Sequence, residues 1–249
     1  MPRRALIVGL GLIGGSAGIA LRARGWRVGF LDPHLTVEEA RAAGAADEGE
    51  IADPDLVLLA TPVDVASEFA VRSSQFAVVT SACSVMAPLR AVAGSNFVAG
   101  HPLAGAESRG LASARAGLFE NKPWFLDDSH DLVDEMVRDC GGVIERVSAE
   151  EHDAAVALTS HLPQILSTAL AASIDEESLR FAGSGLRTFL RLAGSDASVW
   201  APVIDANRGR IAPHAERVIA AMREILDGDP RDAFAKAQRV FRALETRSR

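Results

Sequence analysis

His101 is the first residue in the chain whose type and setting point to chemistry. It lies in Phe97-Val-Ala-Gly-His-Pro-Leu-Ala-Gly-Ala-Glu-Ser-Arg-Gly110. Apolar and small residues of a predicted strand lead up to it, and Pro102, which has no N–H, stops the strand. A histidine at such a strand end points into the cleft above the sheet. Imidazole titrates near neutrality, so it can take the proton of a substrate hydroxyl there as hydride leaves. The same residue could instead bond only to loop backbone, and position alone leaves both readings open. Ser84 follows another strand end, where it either forms a turn or orients His101 and a ligand. Arg187 and Arg191 are four residues apart, about 40° apart around a helix. Apart from Thr188, the rest of Leu186–Ala193 is apolar. Two guanidinium groups there suit recognition of carboxylates, or else salt bridges with acids elsewhere. His161 falls in the most apolar helical stretch, as a satisfied core residue or a ligand group. His152 is expected at a polar helix start and His34 in an exposed loop. The chain has no HExxH and no clustered Cys/His spacing, so no metal site is expected. It has no GxSxG and no Walker lysine, which weighs against serine hydrolases and P-loop enzymes.

These residues need a scaffold and a redox partner, and the N-terminus predicts both. A short aliphatic run ends in Gly9-x-Gly11-x-x-Gly14-Gly15-Ser16 and continues into an Ala/Leu/Arg helix closed by Gly25. A second predicted strand, Arg27–Asp32, follows. Glycines allow a tight turn and close approach of backbone to a pyrophosphate, and the helix N-terminus supplies free N–H groups and partial positive charge. Asp32 ends the second strand, where a carboxylate accepts both ribose hydroxyls. The cofactor-binding set is Gly9, Gly11, Leu12, Ile13, Gly14, Asp32 and Thr61. No Arg or Lys stands beside Asp32 to meet a 2′-phosphate, so NAD is favoured over NADP.

The α/β alternation continues through predicted strands at Leu56–Thr61, Phe76–Ser81, Asn96–Gly100, Pro123–Leu126 and Gly142–Val147. Between them lie helices from Asp64, near Ala87–Val92, and at Ser129–Cys140 with Ser129 as cap. Gly105–Asn121 reads as a loop. This order predicts a Rossmann-type doubly wound α/β sheet over residues 1–148, with a hairpin-like extension. From Ala149 onward the periodicity is helical only. The prediction for 149–249 is an all-helical substrate and dimerisation domain. Its first helix, Glu151–Ile174, is apolar on nearly all sides and kinked at Pro163. Further helices are expected at Glu176–Ala182, Leu186–Leu192, Val199–Leu226 (interrupted at Pro213) and Asp232–Leu244.

Composition narrows the function classes. The 249 residues are 48% hydrophobic and 24% charged, with a net charge of −7, so nucleic acid and anionic membrane are not expected partners. No run of about 18 apolar residues is apparent, so no membrane span is expected. The short N-terminal apolar run ends in the glycine fingerprint and is not read as a signal peptide. Cys83 and Cys140 form no CxxC pattern, which fits reduced thiols in a cytoplasmic protein. Only Lys122 and Lys236 are lysines.

Several motifs in order resemble one family, the prephenate/arogenate dehydrogenases. They are Val8-Gly-Leu-Gly-Leu-Ile-Gly-Gly-Ser16, Gly100-His-Pro-Leu-Ala-Gly-Ala-Glu107 and Leu118-Phe-Glu-Asn-Lys-Pro123. After these come Glu151-His-Asp153 with Ser160-His-Leu-Pro163, then Gly185-Leu-Arg-Thr-Phe-Leu-Arg-Leu-Ala193, Ser195-Asp196, Trp200 and Asn207. The likeness spans roughly residues 5–210. It implies that His101 bonds the ring hydroxyl and acts as base, assisted by Ser84. It further implies that Arg191, with Arg187, binds a substrate carboxylate and that His161 is a second polar group on the substrate side. The partners implied are a small dicarboxylate cyclohexadienyl substrate and a second copy of the chain. The expected reaction is NAD-dependent oxidative decarboxylation of prephenate, with arogenate or an amino-substituted analogue as alternatives. The chain departs from the family pattern at Ser81, Cys83 and Met86 around Ser84, at Ala106, at Ser108-Arg109 where a lysine is common, and at Gln164. No regulatory or mutase extension is expected, because the helical part runs almost to Arg249. A β-hydroxyacid dehydrogenase would need a lysine in a second-domain helix, and Lys236 lacks that setting. A non-enzymatic nucleotide sensor would bind NAD without turning over.

Overall fold

Strand β1 (Arg4–Val8) is buried along its whole length after Arg4, as a parallel strand covered on both faces must be. The structure, a computed structural model, describes residues 2–106 and 108–247; Glu107 of the histidine motif lies outside them. Helix α1 (Leu12–Ala23) leads to β2 (Arg27–Leu31), α2 (Val37–Ala42), β3 (Leu56–Leu59) and α3 (Val63–Ala70). Then come β4 (Val79–Ser81), α4 (Ala87–Val92) and β5 (Phe97–Val98). All five strands pair in parallel in the order β2-β1-β3-β4-β5. The chain runs outward from β1 to β2, then returns to the other side of β1 as β3. That reversal opens a crevice at the carboxyl ends of β1 and β3.

A two-residue side-chain period divides the core between the two faces of this sheet. Ala5, Ile7, Val28, Phe30, Leu56 and Leu58 pack on one face. Leu6, Val8, Val57, Leu59, Val79 and Phe97 pack on the other. The second face also takes in Ala149 and Val203 from the C-terminal helices, which seats the helical half on the sheet.

A second, three-stranded sheet consists of β6 (Gly100–Pro102), β7 (Pro123–Leu126) and β8 (Val143–Arg146), with α5 (Asp131–Asp139) before β8. β6 runs antiparallel to β7, and β7 parallel to β8. The predicted strand ending at Gly100 therefore continues. His101 sits within β6 opposite Phe125, so the chain from Phe97 to Pro102 serves both sheets. Helix α5 is capped by His130, which accepts the Leu132 N–H, and not by Ser129.

The helical half opens with α6 (Ala149–Val156), whose Ser148 and Glu151 form a reciprocal capping box. Pro163 does not produce a simple kink. A π-helical turn over Ala157–His161 precedes it, and α7 (Leu162–Ser173) begins there. Pro163 has no N–H to give to the carbonyl four residues back, and the widened turn absorbs that loss. The segment expected as one helix over Leu186–Leu192 is α8 (Ser184–Phe189) followed by a 3-10 turn at Leu190–Gly194. Glu177–Phe181 is likewise 3-10. Helix α9 (Ala197–Asp227) is continuous and carries Pro202 and Pro213 inside it, so the expected break at Pro213 is absent. Each proline removes one donor, but the ladder on either side holds. Helix α10 (Arg231–Arg247) ends the described chain.

Contrary to the sequence expectation, Ala149–Ser173 is long and apolar enough, by length and composition, to cross a membrane. Its inner face carries buried His152, Asp153, His161 and Gln164, and it packs on α9 and on the turn after α8. Cys83 and Cys140 are free and buried, and burial pushes the Cys83 thiol up to about 12.

Helix α1 lies against the loop after α2 at Gly18, where an added Cβ would stand 2.0 Å from the Ala45 carbonyl oxygen. Gly18→Ala should destabilise the fold by about 1–3 kcal/mol, as overpacking against backbone does. A urea midpoint equal to that of the parent protein would contradict this packing.

Candidate active site

The nucleotide end of the site is built on the glycines after β1. Gly9 has a φ of +87°, and a Cβ there would lie 2.7 Å from Thr61 Cγ2, so the ends of β1 and β3 meet closely. At Gly14 a Cβ would lie 2.0 Å from the Gly9 carbonyl oxygen, whereas at Gly11 it would enter open space. The first turn of α1 has no side-chain cap and no acidic residue, which leaves its N–H groups and partial positive charge for an anion. Asp32 accepts the Leu10 N–H at 2.9 Å and the His34 N–H at 3.0 Å, one on each oxygen. Each oxygen keeps a lone pair for a ligand. The Thr61 hydroxyl at the same crevice is buried with no partner among the described residues. This donor set fits the diphosphate and ribose of a dinucleotide.

Within the segment expected as a loop, Gly105–Asn121, two 3-10 turns at Leu111–Ser113 and Ala116–Phe119 lie over α1. The Arg115 N–H donates to Ser16 Oγ at 3.0 Å, and Leu111 and Ala114 close on Gly15. Arg109 forms an ion pair with Asp196, the cap of α9, at 2.7 Å, linking this segment to the helical half.

His101 is half-buried, and its Nδ1 lies 2.9 Å from His152 Nε2. The two rings meet edge to face with centroids 5.0 Å apart. His152 Nδ1 lies 2.8 Å from Asp153 Oδ1. The Asp153 carboxylate also accepts the Met86 and Ala87 N–H groups, both at 2.9 Å, at the start of α4. Asn207 on α9 donates from Nδ2 to the Asp153 carbonyl oxygen at 2.8 Å, and the same Nδ2 lies 3.1 Å from His161 Nδ1. His161 is fully buried against Trp200, and its Nε2 has no partner among the described residues. Burial, reinforced by the neighbouring His152 and His161, pushes the His101 pKa down to about 3. Burial likewise takes His161 down to about 4, partly opposed by Asp153. Both rings are therefore neutral at neutral pH.

The structure brings His101 and His161 into one electrostatic neighbourhood and adds His152, Asp153 and Asn207. His152, expected at a polar helix start, is instead buried. The signal for this is a stripe: Ala149, His152, Asp153, Val156 and Ala157 recur at helical spacing on one face. Among the described residues Ser84 makes no hydrogen bond. Its segment lies beside His101 because the Cys83 N–H donates to the Gly100 carbonyl at 3.2 Å and buried Ser81 bonds Gly100. Arg187 and Arg191 are exposed, and neither is in an ion pair among the described residues. They sit on different local helices, so they do not share the one α-helical face expected. Gln164 is buried and holds their segment to α7. It donates to the Leu192 carbonyl at 2.8 Å and accepts from Ser195 Oγ at 3.2 Å. No group of three or more metal-ligating side chains occurs among the described residues.

Two family models match successive parts of the chain. The prephenate dehydrogenase nucleotide-binding domain covers residues 17–151, and the prephenate dehydrogenase dimerization domain covers residues 148–238. A probable prephenate dehydrogenase of Streptomyces niveus is 33% identical over 91% of this chain and 71% of its own length. A cyclohexadienyl dehydrogenase of Zymomonas mobilis is 29% identical over 96% of this chain and 95% of its own length. The crystal structure of A. aeolicus prephenate dehydrogenase in complex with hydroxyphenyl propionate and NAD+ superposes with a TM-score of 0.84. It is 27% identical and covers all of this chain and 98% of its own. By sequence, by domain order and by fold, the chain belongs to the prephenate dehydrogenase family, and it is a dehydrogenase.

Proposed function

We propose that the chain carries out NAD-dependent oxidative decarboxylation of prephenate to 4-hydroxyphenylpyruvate, the oxidative step towards tyrosine. The observation that carries this reading is His101 on β6, 2.9 Å from His152 and one residue past the Gly100 carbonyl that accepts the Cys83 N–H at the end of β4. The Gly9–Gly14 loop and the N–H groups of Leu12 and Ile13 hold the diphosphate, Asp32 the ribose, and Thr61 a further polar group. Bound NAD supplies the acceptor for hydride from the ring carbon that bears the hydroxyl. His101 takes the hydroxyl proton as that carbon becomes a carbonyl. The bond to the ring carboxylate then breaks, and its electron pair makes the ring aromatic. His101 returns its proton to the ring oxygen, so protons and charge balance. Arg191, with Arg187, holds a substrate carboxylate, and such orientation supplies much of the rate enhancement. Ser84 and His161 line the substrate side.

The boundary at Ser148 separates a nucleotide half from a helical half that forms a homodimer. Ile219, Met222, Leu226, Phe234 and Phe241, on α9 and α10, stand exposed on the single chain and suit a second copy. A cytoplasmic setting agrees with two free thiols and a small dicarboxylate substrate.

The test is NADH formation with prephenate and arogenate side by side, repeated with NADP. Turnover with prephenate and NAD is expected, and no turnover with either substrate would overturn the reading. His101→Asn should lower turnover by roughly two to four orders of magnitude with NAD affinity intact; near-normal turnover would remove His101 from the chemistry. The sign of the shifts sets the pH dependence. Burial holds the His101 and His161 pKa values below those of the unfolded chain, so the stability these neutral rings contribute is complete above about pH 6.5 and declines as pH falls towards 3–4. The acid limb of kcat/KM should accordingly lie well below pH 6.5. A limb at or above that value would show that His101 is not held neutral.

A further inference from the structure

The hydrogen-bond network around Asp153 has a direction, and it ends differently at the two histidines. The Asp153 carboxylate accepts from Met86 N–H and Ala87 N–H, and an acceptor of this kind requires a proton on His152 Nδ1. With a single ring proton, drawn to Nδ1 by Asp153, His152 has a bare Nε2, which can only accept. His101 Nδ1, 2.9 Å away, must therefore carry the proton between them, and His101 Nε2 is left as a lone pair. The other branch starts from the Asp153 backbone carbonyl, which can only accept, so the atom of Asn207 facing it is the amide nitrogen. Arg210 donates to the opposite atom, Asn207 Oδ1, at 3.5 Å, in agreement with that orientation. The second hydrogen of Asn207 Nδ2 points to His161 Nδ1, which must accept it. A neutral His161 then carries its proton on Nε2, the buried atom without a partner.

We propose that Asp153 is a positioning residue that sets His101 and His161 in opposite tautomers, one offering an unprotonated Nε2 and the other an Nε2–H. The inference rests on the reading of His101 as the base and deepens it. It also specifies the ligand chemistry at His101, where a bare Nε2 takes a hydroxyl donor.

The direct test is the ring-nitrogen NMR spectrum of 15N-histidine-labelled wild-type protein at pH 7.5. The chain has six histidines, and His101→Asn and His161→Gln assign the two signals of interest. The expected spectrum has His101 and His152 protonated on Nδ1 and His161 on Nε2. His101 protonated on Nε2, or His161 on Nδ1, overturns the proposal. In Asp153→Asn the side-chain amide can donate to His152 and reverse the chain, so His101 should appear as its Nε2–H form. Its kcat should then fall by roughly 10²–10⁴-fold, as a base held in the wrong tautomer does, with NAD binding retained. If that variant does not fold, His152→Leu and His152→Gln replace it. Glutamine can accept from His101 and donate to Asp153, so His152→Gln should exceed His152→Leu in kcat by about tenfold or more. Equal loss in both would leave His152 a packing residue only and overturn the relay. The two readings fail separately. A wild-type spectrum as expected with an active His101→Asn sinks the base but not the positioning. An inactive His101→Asn with the wrong wild-type tautomer does the reverse.

Discussion

The structure turns on one buried carboxylate. Asp153 is fully buried, and its two oxygens accept two backbone N–H groups and one imidazole N–H. Helix α4 has no side-chain cap of its own, so a residue from α6 supplies the negative charge that a helix N-terminus favours. This contact joins the nucleotide-binding sheet to the helical half through charge-assisted hydrogen bonds, and removing one partner would leave the others buried and unpaired. The same contact lies one residue from His152, so the docking of the two halves and the orientation of the His152–His101 pair depend on the same group. A shift between the halves would disturb both together.

Around that fixed point the chain distributes its tasks by secondary structure. The parallel sheet reverses between β1 and β3 and leaves a crevice where backbone N–H groups, an open glycine and a partnerless threonine hydroxyl face a ligand. The strand from Phe97 to Pro102 passes from one sheet to the other, which carries His101 past the edge of the nucleotide sheet and towards α6. The π turn before Pro163 occurs in the helix that faces it. A turn with an extra residue rotates the helix beyond it, and here it brings His161 to the inner face. Proline's missing donor and the placement of a functional side chain are met by the same local distortion.

Much of the plan is legible in the residues. Glycine spacing, the acid that ends β2, and continuous apolar runs such as Leu56-Val57-Leu58-Leu59 depend on local rules: backbone freedom, strand period and burial on both faces. Those rules act within a few residues, so they survive in the sequence. Helix ends marked by proline are less legible. Pro213 lies inside an unbroken α9 because the rest of a 31-residue ladder sustains the helix. The arginine segment changes from α to 3-10 between Arg187 and Arg191, because Gln164 and Ser167 draw the carbonyls of Leu192 and Phe189 onto α7.

The sequence by itself determined a nucleotide-binding α/β half, a helical half after Ser148, and a histidine in the strand that ends the first sheet. Only the tertiary structure decided what that histidine touches. His101 and His152 are 51 residues apart, Met86 and Asp153 are 67 apart, and Asp153 and Asn207 are 54 apart. No local pattern encodes such pairings, because a hydrogen bond is directional and short-ranged, and its partners are chosen only when two packed elements bring them within about 3 Å. Burial, likewise a property of the assembled chain, made both rings neutral. The residues name the acids and bases; the packing assigns the protons.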